Sequence, residues 1–156
     1  MKKFLDIFSD VLQTISGILF LFIFLINVAG IINRTFLDFS LLWVADVTTI
    51  AVAWMLALGM SVAVYKKVHI TIDFVKNKFP HKAKKVLETI LTLLMIAFLI
   101  ILIFAGWKTT VMKMRIHFVV LYIPTAYAFM ALPVFAFFST IFMTYRLKDI
   151  LLSKEE

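Results

Sequence analysis

LLWVADVTTIAVAWMLALGMSVAV, residues Leu41–Val64, is the stretch on which the fold turns. It is 24 residues of almost unbroken apolar character. At 1.5 Å per residue a helix of that length crosses a hydrocarbon layer of about 30 Å. One carboxylate, Asp46, sits inside it. An aspartate at mid-bilayer costs roughly 2.5–3.5 kcal/mol on insertion scales, so its depth and its partner have to be explained.

Working outward, three further apolar runs match this one. Val11 to Ile32 precedes it, Leu87 to Trp107 follows it, and a fourth starts near Pro124 and ends at Tyr145. The chain is 63% hydrophobic over 156 residues, which points to an all-α integral membrane protein with four transmembrane helices. We read residues 1–156 as a single membrane domain. No run alternates like the ten-residue strands of a membrane barrel. The N-terminal Lys pair resembles a signal peptide, but Asp6 and Asp10 interrupt the approach to the first run and no small-residue cleavage site follows. The first run is therefore expected to stay in place as a span.

Charge sets the orientation. Twelve Lys and Arg residues fall before span one, between spans two and three, and after span four; four fall in the two other connections. The positive-inside rule then places both termini and the long middle connection in the cytoplasm. Within that connection, Ile72, Val75 and Phe79 recur at helical spacing beside Lys76 and Lys78, and Pro80 ends the run. An amphipathic helix over residues 70–79, lying in the lipid interface, is the expected form. A strand over "HITID" is the alternative, without an evident partner strand.

The composition removes several functions. There is no cysteine, hence no disulfide and no thiolate metal site. His69, His81 and His117 lie at span edges or in loops, whereas a membrane haem protein needs ligands inside its spans. His69 and Asp73 are four apart, a pair rather than a metal set. No nucleotide fingerprint or catalytic triad is present, so neither a cofactor, an enzyme activity nor nucleic-acid binding is expected. The net charge of +7 belongs with the basic cytoplasmic segments.

Several features of the spans point to helix packing. Ala53, Ala57 and Ser61 recur every four residues, and so do Ala51, Met55, Gly59 and Ala63. Small residues at that interval let a second helix come close, either within the chain or from another subunit. Ser40 is a candidate N-cap, which would put Asp46 about a turn and a half into span two. Asp46 is then expected to make a structural salt bridge or interhelical hydrogen bond, with Arg34 or a polar group of a partner subunit as the other half. Trp43 is an interfacial anchor, Asn27 a candidate interhelical hydrogen-bonding group, Pro124 suits the first turn of span four, and Pro133 is expected to kink it.

The order Trp43, Asp46, Trp54, Leu58–Gly59, then His69, Ile70 and Asp73 after a basic turn resembles the signature of the small membrane subunit of tripartite ATP-independent periplasmic (TRAP) transporters. Pro80 and the "YIP" and "ALP" triplets around Pro124 and Pro133 extend the likeness over most of the chain. Asp46 stands where the family more usually has Glu, and Leu42 where Pro is common. The resemblance implies a scaffold subunit in a bacterial inner membrane. It would brace a large polytopic subunit that carries the substrate and Na+ sites, while a periplasmic binding protein delivers organic acids of the sialic acid or C4-dicarboxylate type. Arg34, Trp43, Asp46, Trp54, Gly59, His69, Asp73, Pro124 and Pro133 are the candidates for structural or partner contacts. The alternative is a stand-alone four-helix exporter of small molecules. Such exporters carry a working Glu in span one, and Val11 to Ile32 contains no acid.

Overall fold

The computed structural model describes residues 2–36, 41–66 and 81–152. Five helices account for most of them: α1 (Lys2–Phe36), α2 (Trp43–Tyr65), α3 (His81–Lys113), α4 (Ala126–Phe129) and α5 (Ala131–Leu152). Four segments, those of α1, α2, α3 and α4 continuing into α5, are long and apolar enough to cross a membrane. Inside lipid a helix satisfies every backbone donor and acceptor within itself, which is why apolar runs of this length fold this way. Among the described residues, β pairing is confined to one bridge between His117 and Pro124.

Several boundaries differ from the sequence expectation. Helix α1 starts at Lys2, not Val11, and at 35 residues is about 50 Å long. Hydropathy detects only the part inside the hydrocarbon, whereas Asp6 and Asp10 continue the same helix beyond it. Helix α2 begins at Trp43, with Leu42 as N-cap and no side-chain cap bond. Asp46 therefore lies in the first turn, where the helix dipole favours a carboxylate. Pro124 precedes the fourth span and does not occupy its first turn, because its strand-like backbone pairs with His117. The fourth span is interrupted at Met130, between α4 and α5. Pro133 follows in the first turn of α5, where a missing N–H is tolerated. Ser40 and the amphipathic segment 70–79, with His69 and Asp73, lie outside the described residues.

The helices pack in the order α1, α2, α5, α3, so that α2 and α5 hold the middle. Helices α1 and α2 are antiparallel. Asn27 meets Thr48 at one end of the pair, and Asp10 meets Lys66 at the other. Helix α5 runs in the same direction as α2. One core cluster joins Leu5 and Leu12 of α1, Leu58 and Val62 of α2, and Phe142 of α5. The Tyr65 ring lies tilted against Phe142 with centroids 4.7 Å apart, and Phe8 meets Phe138 edge-on at 5.2 Å. A second cluster joins Val64, Leu99, Ala136 and Met143, closing α3 onto α5 and α2.

Candidate functional site

Polar groups are scarce in this chain, and on α2 Asp46, Thr48, Trp54 and Ser61 reach its neighbours, whereas the exposed Thr49 donates back to Ala45 of its own helix. The contacts with neighbours fall into two sets, interleaved along the helix and facing different elements. The first faces α1. Thr48 accepts a hydrogen bond from the Asn27 amide at 3.0 Å, and the Met55 carbonyl accepts one from the Ser16 hydroxyl, also at 3.0 Å. Gly59 sits opposite the same Ser16, and a Cβ there would come within 3.1 Å of the Ser16 oxygen. The absent side chain of Gly59 is thus what lets α1 and α2 approach.

The second set faces the other half of the molecule. Asp46 Oδ2 accepts two consecutive backbone N–H groups, from Val120 at 3.0 Å and Leu121 at 3.2 Å. The Trp54 indole donates to the Tyr127 carbonyl at 2.9 Å, in the short α4 before the interruption. Ser61 is fully buried, donates to Ala57, and lies 3.4 Å from the Phe135 carbonyl of α5. Three side chains, spaced eight and seven residues apart, thereby tie the α1–α2 hairpin to the α3–α5 half from one membrane face to the deep interior.

Asp46 does not pair with Arg34. Arg34 is exposed in the last turn of α1, and no ion pair joins the two residues. The physical reason is that the loop after α3 folds back onto the start of α2 and presents two otherwise orphaned N–H donors to the carboxylate. Charge-assisted bonds of this type are the strong ones. The loop itself is a small hairpin: Phe118 N–H bonds the Ile123 carbonyl at 2.9 Å and Thr125 N–H bonds the Ile116 carbonyl at 2.8 Å.

At the opposite end, α1 and α2 are joined by Tyr65 donating to Asp6 and by Lys66 reaching Asp10 at 3.2 Å and also Gln13. These groups are solvent-accessible, so this pairing adds little stability.

Among the other sequence candidates, Trp43 is exposed on the first turn of α2. Pro133 packs against α3, where a Cβ on Gly106 would lie 3.0 Å from Pro133 Cδ and 3.2 Å from Pro133 N. Gly106 was not among the sequence candidates. Its signal was a lone glycine inside a long apolar helix, which costs about 1 kcal/mol relative to alanine and so calls for a packing reason. The backbone partners of Asp46 and Trp54 were also missed, since a main-chain N–H or carbonyl has no sequence signature. Among the described residues no group of three His, Cys, Asp or Glu side chains could hold a metal ion. The polar contacts among these residues fix helices to one another.

The family model described as "Tripartite ATP-independent periplasmic transporters, DctQ component" matches residues 23–152. A curated relative, the sialic acid TRAP transporter permease protein SiaT of Haemophilus influenzae (strain 86-028NP), is 33% identical over 97 residues. That alignment covers 62% of this chain and 16% of the relative, so the chain matches only a small part of that protein's length.

Proposed function

The chain belongs to the DctQ component family of the tripartite ATP-independent periplasmic transporters, and we propose that it is the small scaffold subunit bracing a large transport subunit. The observation that carries this reading is the combination of α2 and its neighbours. Asp46, Thr48 and Trp54 of α2, side chains that could have served a translocation path, are engaged in holding helices together. A brace needs that kind of internal rigidity, whereas a carrier needs groups free to bind and release cargo.

On this reading the substrate and Na+ sites belong to the large polytopic membrane subunit, and a periplasmic binding protein delivers the cargo. The cargo is an organic acid of the sialic acid or C4-dicarboxylate type, in keeping with the name of the 33% identical relative. That relative extends far beyond the aligned segment, which accords with a partner polypeptide supplying the remaining transport machinery. The chain would act as one multi-pass domain of a bacterial inner membrane, both termini cytoplasmic, as the distribution of Lys and Arg supports. Arg34 and Trp43, exposed at the end opposite Lys66, are then available to the large subunit or to lipid. Family membership does not favour the stand-alone exporter.

Purification in mild detergent through a tag on this chain tests the proposal. A large polytopic membrane protein should accompany it in fixed stoichiometry. A self-sufficient homodimer that moves cargo alone would refute the scaffold role.

A further inference from the structure

The hairpin between α3 and α4 carries a backbone conformation that its sequence does not suit. Tyr122 has φ 55°, in the left-handed region. That position ordinarily goes to Gly or Asn, because a Cβ there is crowded by the backbone. A bulky aromatic therefore costs something locally, and no contact inside the chain offsets it: Tyr122 is 80% exposed, and Val119 beside it 83%. Local strain that internal packing does not offset points to a contact outside the chain.

Three observations fix what lies outside. The first is depth. Asp46 binds Val120 and Leu121 from the first turn of α2, the turn that also holds Trp43, so the hairpin tip is folded back to the level where the helix enters the membrane. Trp43 on α2 and Trp107 near the end of α3 are both exposed at this end, as expected of aromatic side chains in the headgroup layer. The second is backbone satisfaction. With two of the tip's N–H groups held by the carboxylate and Phe118 N–H paired across the hairpin, the loop can enter a region poor in water without leaving those donors unpaired. The third is charge. Arg34, Lys108 and Arg115 are exposed at this end, Lys113 lies with its Nζ 5.2 Å over the Phe129 ring, and among the described residues Asp46 is the one carboxylate there, already engaged. Cationic side chains around an apolar tip complement lipid phosphates.

We propose that the tip, Val119 to Tyr122, is a phospholipid-headgroup anchor, and that Asp46 is the residue positioning it. Val119 and the Tyr122 ring enter the interface while Arg115 reaches the phosphates. The anchor fixes the ends of α2, α3 and α4 at one depth, and it does not depend on which protein, if any, accompanies the chain.

The chain has no cysteine of its own, which makes the test direct. Val119→Cys and Tyr122→Cys are spin-labelled singly in the full-length chain. The labelled chains are reconstituted in vesicles of phosphatidylethanolamine and phosphatidylglycerol, and collisions with oxygen and with a water-soluble nickel chelate are compared. Both labels should favour oxygen. Nickel-favoured collisions at both would overturn the anchor and leave a surface suited to a soluble acidic protein. With the label at Val119, Asp46→Ala should raise nickel accessibility several-fold as the tip lifts, whereas Asp46→Asn, which keeps an acceptor oxygen, should raise it less. An unchanged value in Asp46→Ala would remove Asp46 from the proposal. Should that variant not fold, the two labels in the otherwise unaltered chain decide the matter alone.

Discussion

Helices α2 and α3 are both long and apolar enough to span a membrane, and the most apolar stretch of α3 is more hydrophobic than that of α2, yet they do different work. About 33% of the most apolar stretch of α2 is buried within the chain, against 11% for α3. Helix α2 turns Ala51, Ala57 and Ser61 inward and makes polar ties to three neighbouring elements. Helix α3 presents Leu94, Ile101 and Phe104 outward and closes onto α5 through a narrower line that includes Leu99 and Gly106. In a bilayer, hydrophobicity does not rank helices by burial, because lipid is as apolar as a leucine side chain. Small size and satisfied polar groups mark the packed helix.

This contrast can be broken by substitutions that should have unequal effects. The largest effect is expected at the point where α3 does approach a backbone. Gly106→Val would drive side-chain atoms into the ring and backbone nitrogen of Pro133. It should destabilise the chain by about 3 kcal/mol, the upper end for overpacking, as read by unfolding in detergent. Leu94→Ala, on the outward face of the same helix, should leave the midpoint nearly unchanged.

Asp46→Leu comes next. It strips two loop N–H groups of their acceptor at a half-buried position, for about 2 kcal/mol. Asp46→Asn should lose less, because an amide oxygen still accepts. Equal losses in the two variants would mean that charge, not acceptance, holds the loop.

Trp54→Phe removes one indole donor from the Tyr127 carbonyl and keeps the ring. Interhelical hydrogen bonds in membranes average about 0.6 kcal/mol, and the shift should be of that size. No loss is expected at Gly17, where an added Cβ would meet nothing within 4 Å. Gly17→Ala should leave the chain as stable or more stable, by up to about 1 kcal/mol from helix propensity alone. If it instead disrupts co-purification with a larger subunit, the open groove beside Ser16 and Gly59 is an intermolecular contact.

Which parts were legible in the sequence follows the same division. Four spans were, because run length against bilayer thickness is a one-dimensional criterion. The helical extension of α1 through Asp6 and Asp10 was not, since hydropathy ends where the lipid does while the helix does not. The signature residues Asp46 and Trp54 could be picked out as polar or aromatic groups needing partners. Their partners could not: Val120, Leu121 and Tyr127 lie more than 70 residues away and act through the main chain. Arg34 was the nearest cation in sequence, but the returning hairpin supplies better-placed donors. Pro124 looked like a helix start because proline suits that position, and its pairing with His117 depends on the same hairpin. Long-range ties between backbone and side chain form only after the helices have chosen neighbours, so a single sequence carries no periodic trace of them.

Asp46 ties the hairpin to α2; in the scaffold role proposed for this chain, ion coupling belongs to the large subunit. The direct measurement is initial uptake against Na+ concentration, in proteoliposomes holding the complete transporter with Asp46 or Asp46→Asn. The variant should assemble and, although its maximal rate falls, the steepness of the Na+ dependence should be unchanged. A variant that assembles in normal amount and shows altered steepness would place Asp46 in the coupling mechanism and rule out a purely structural role.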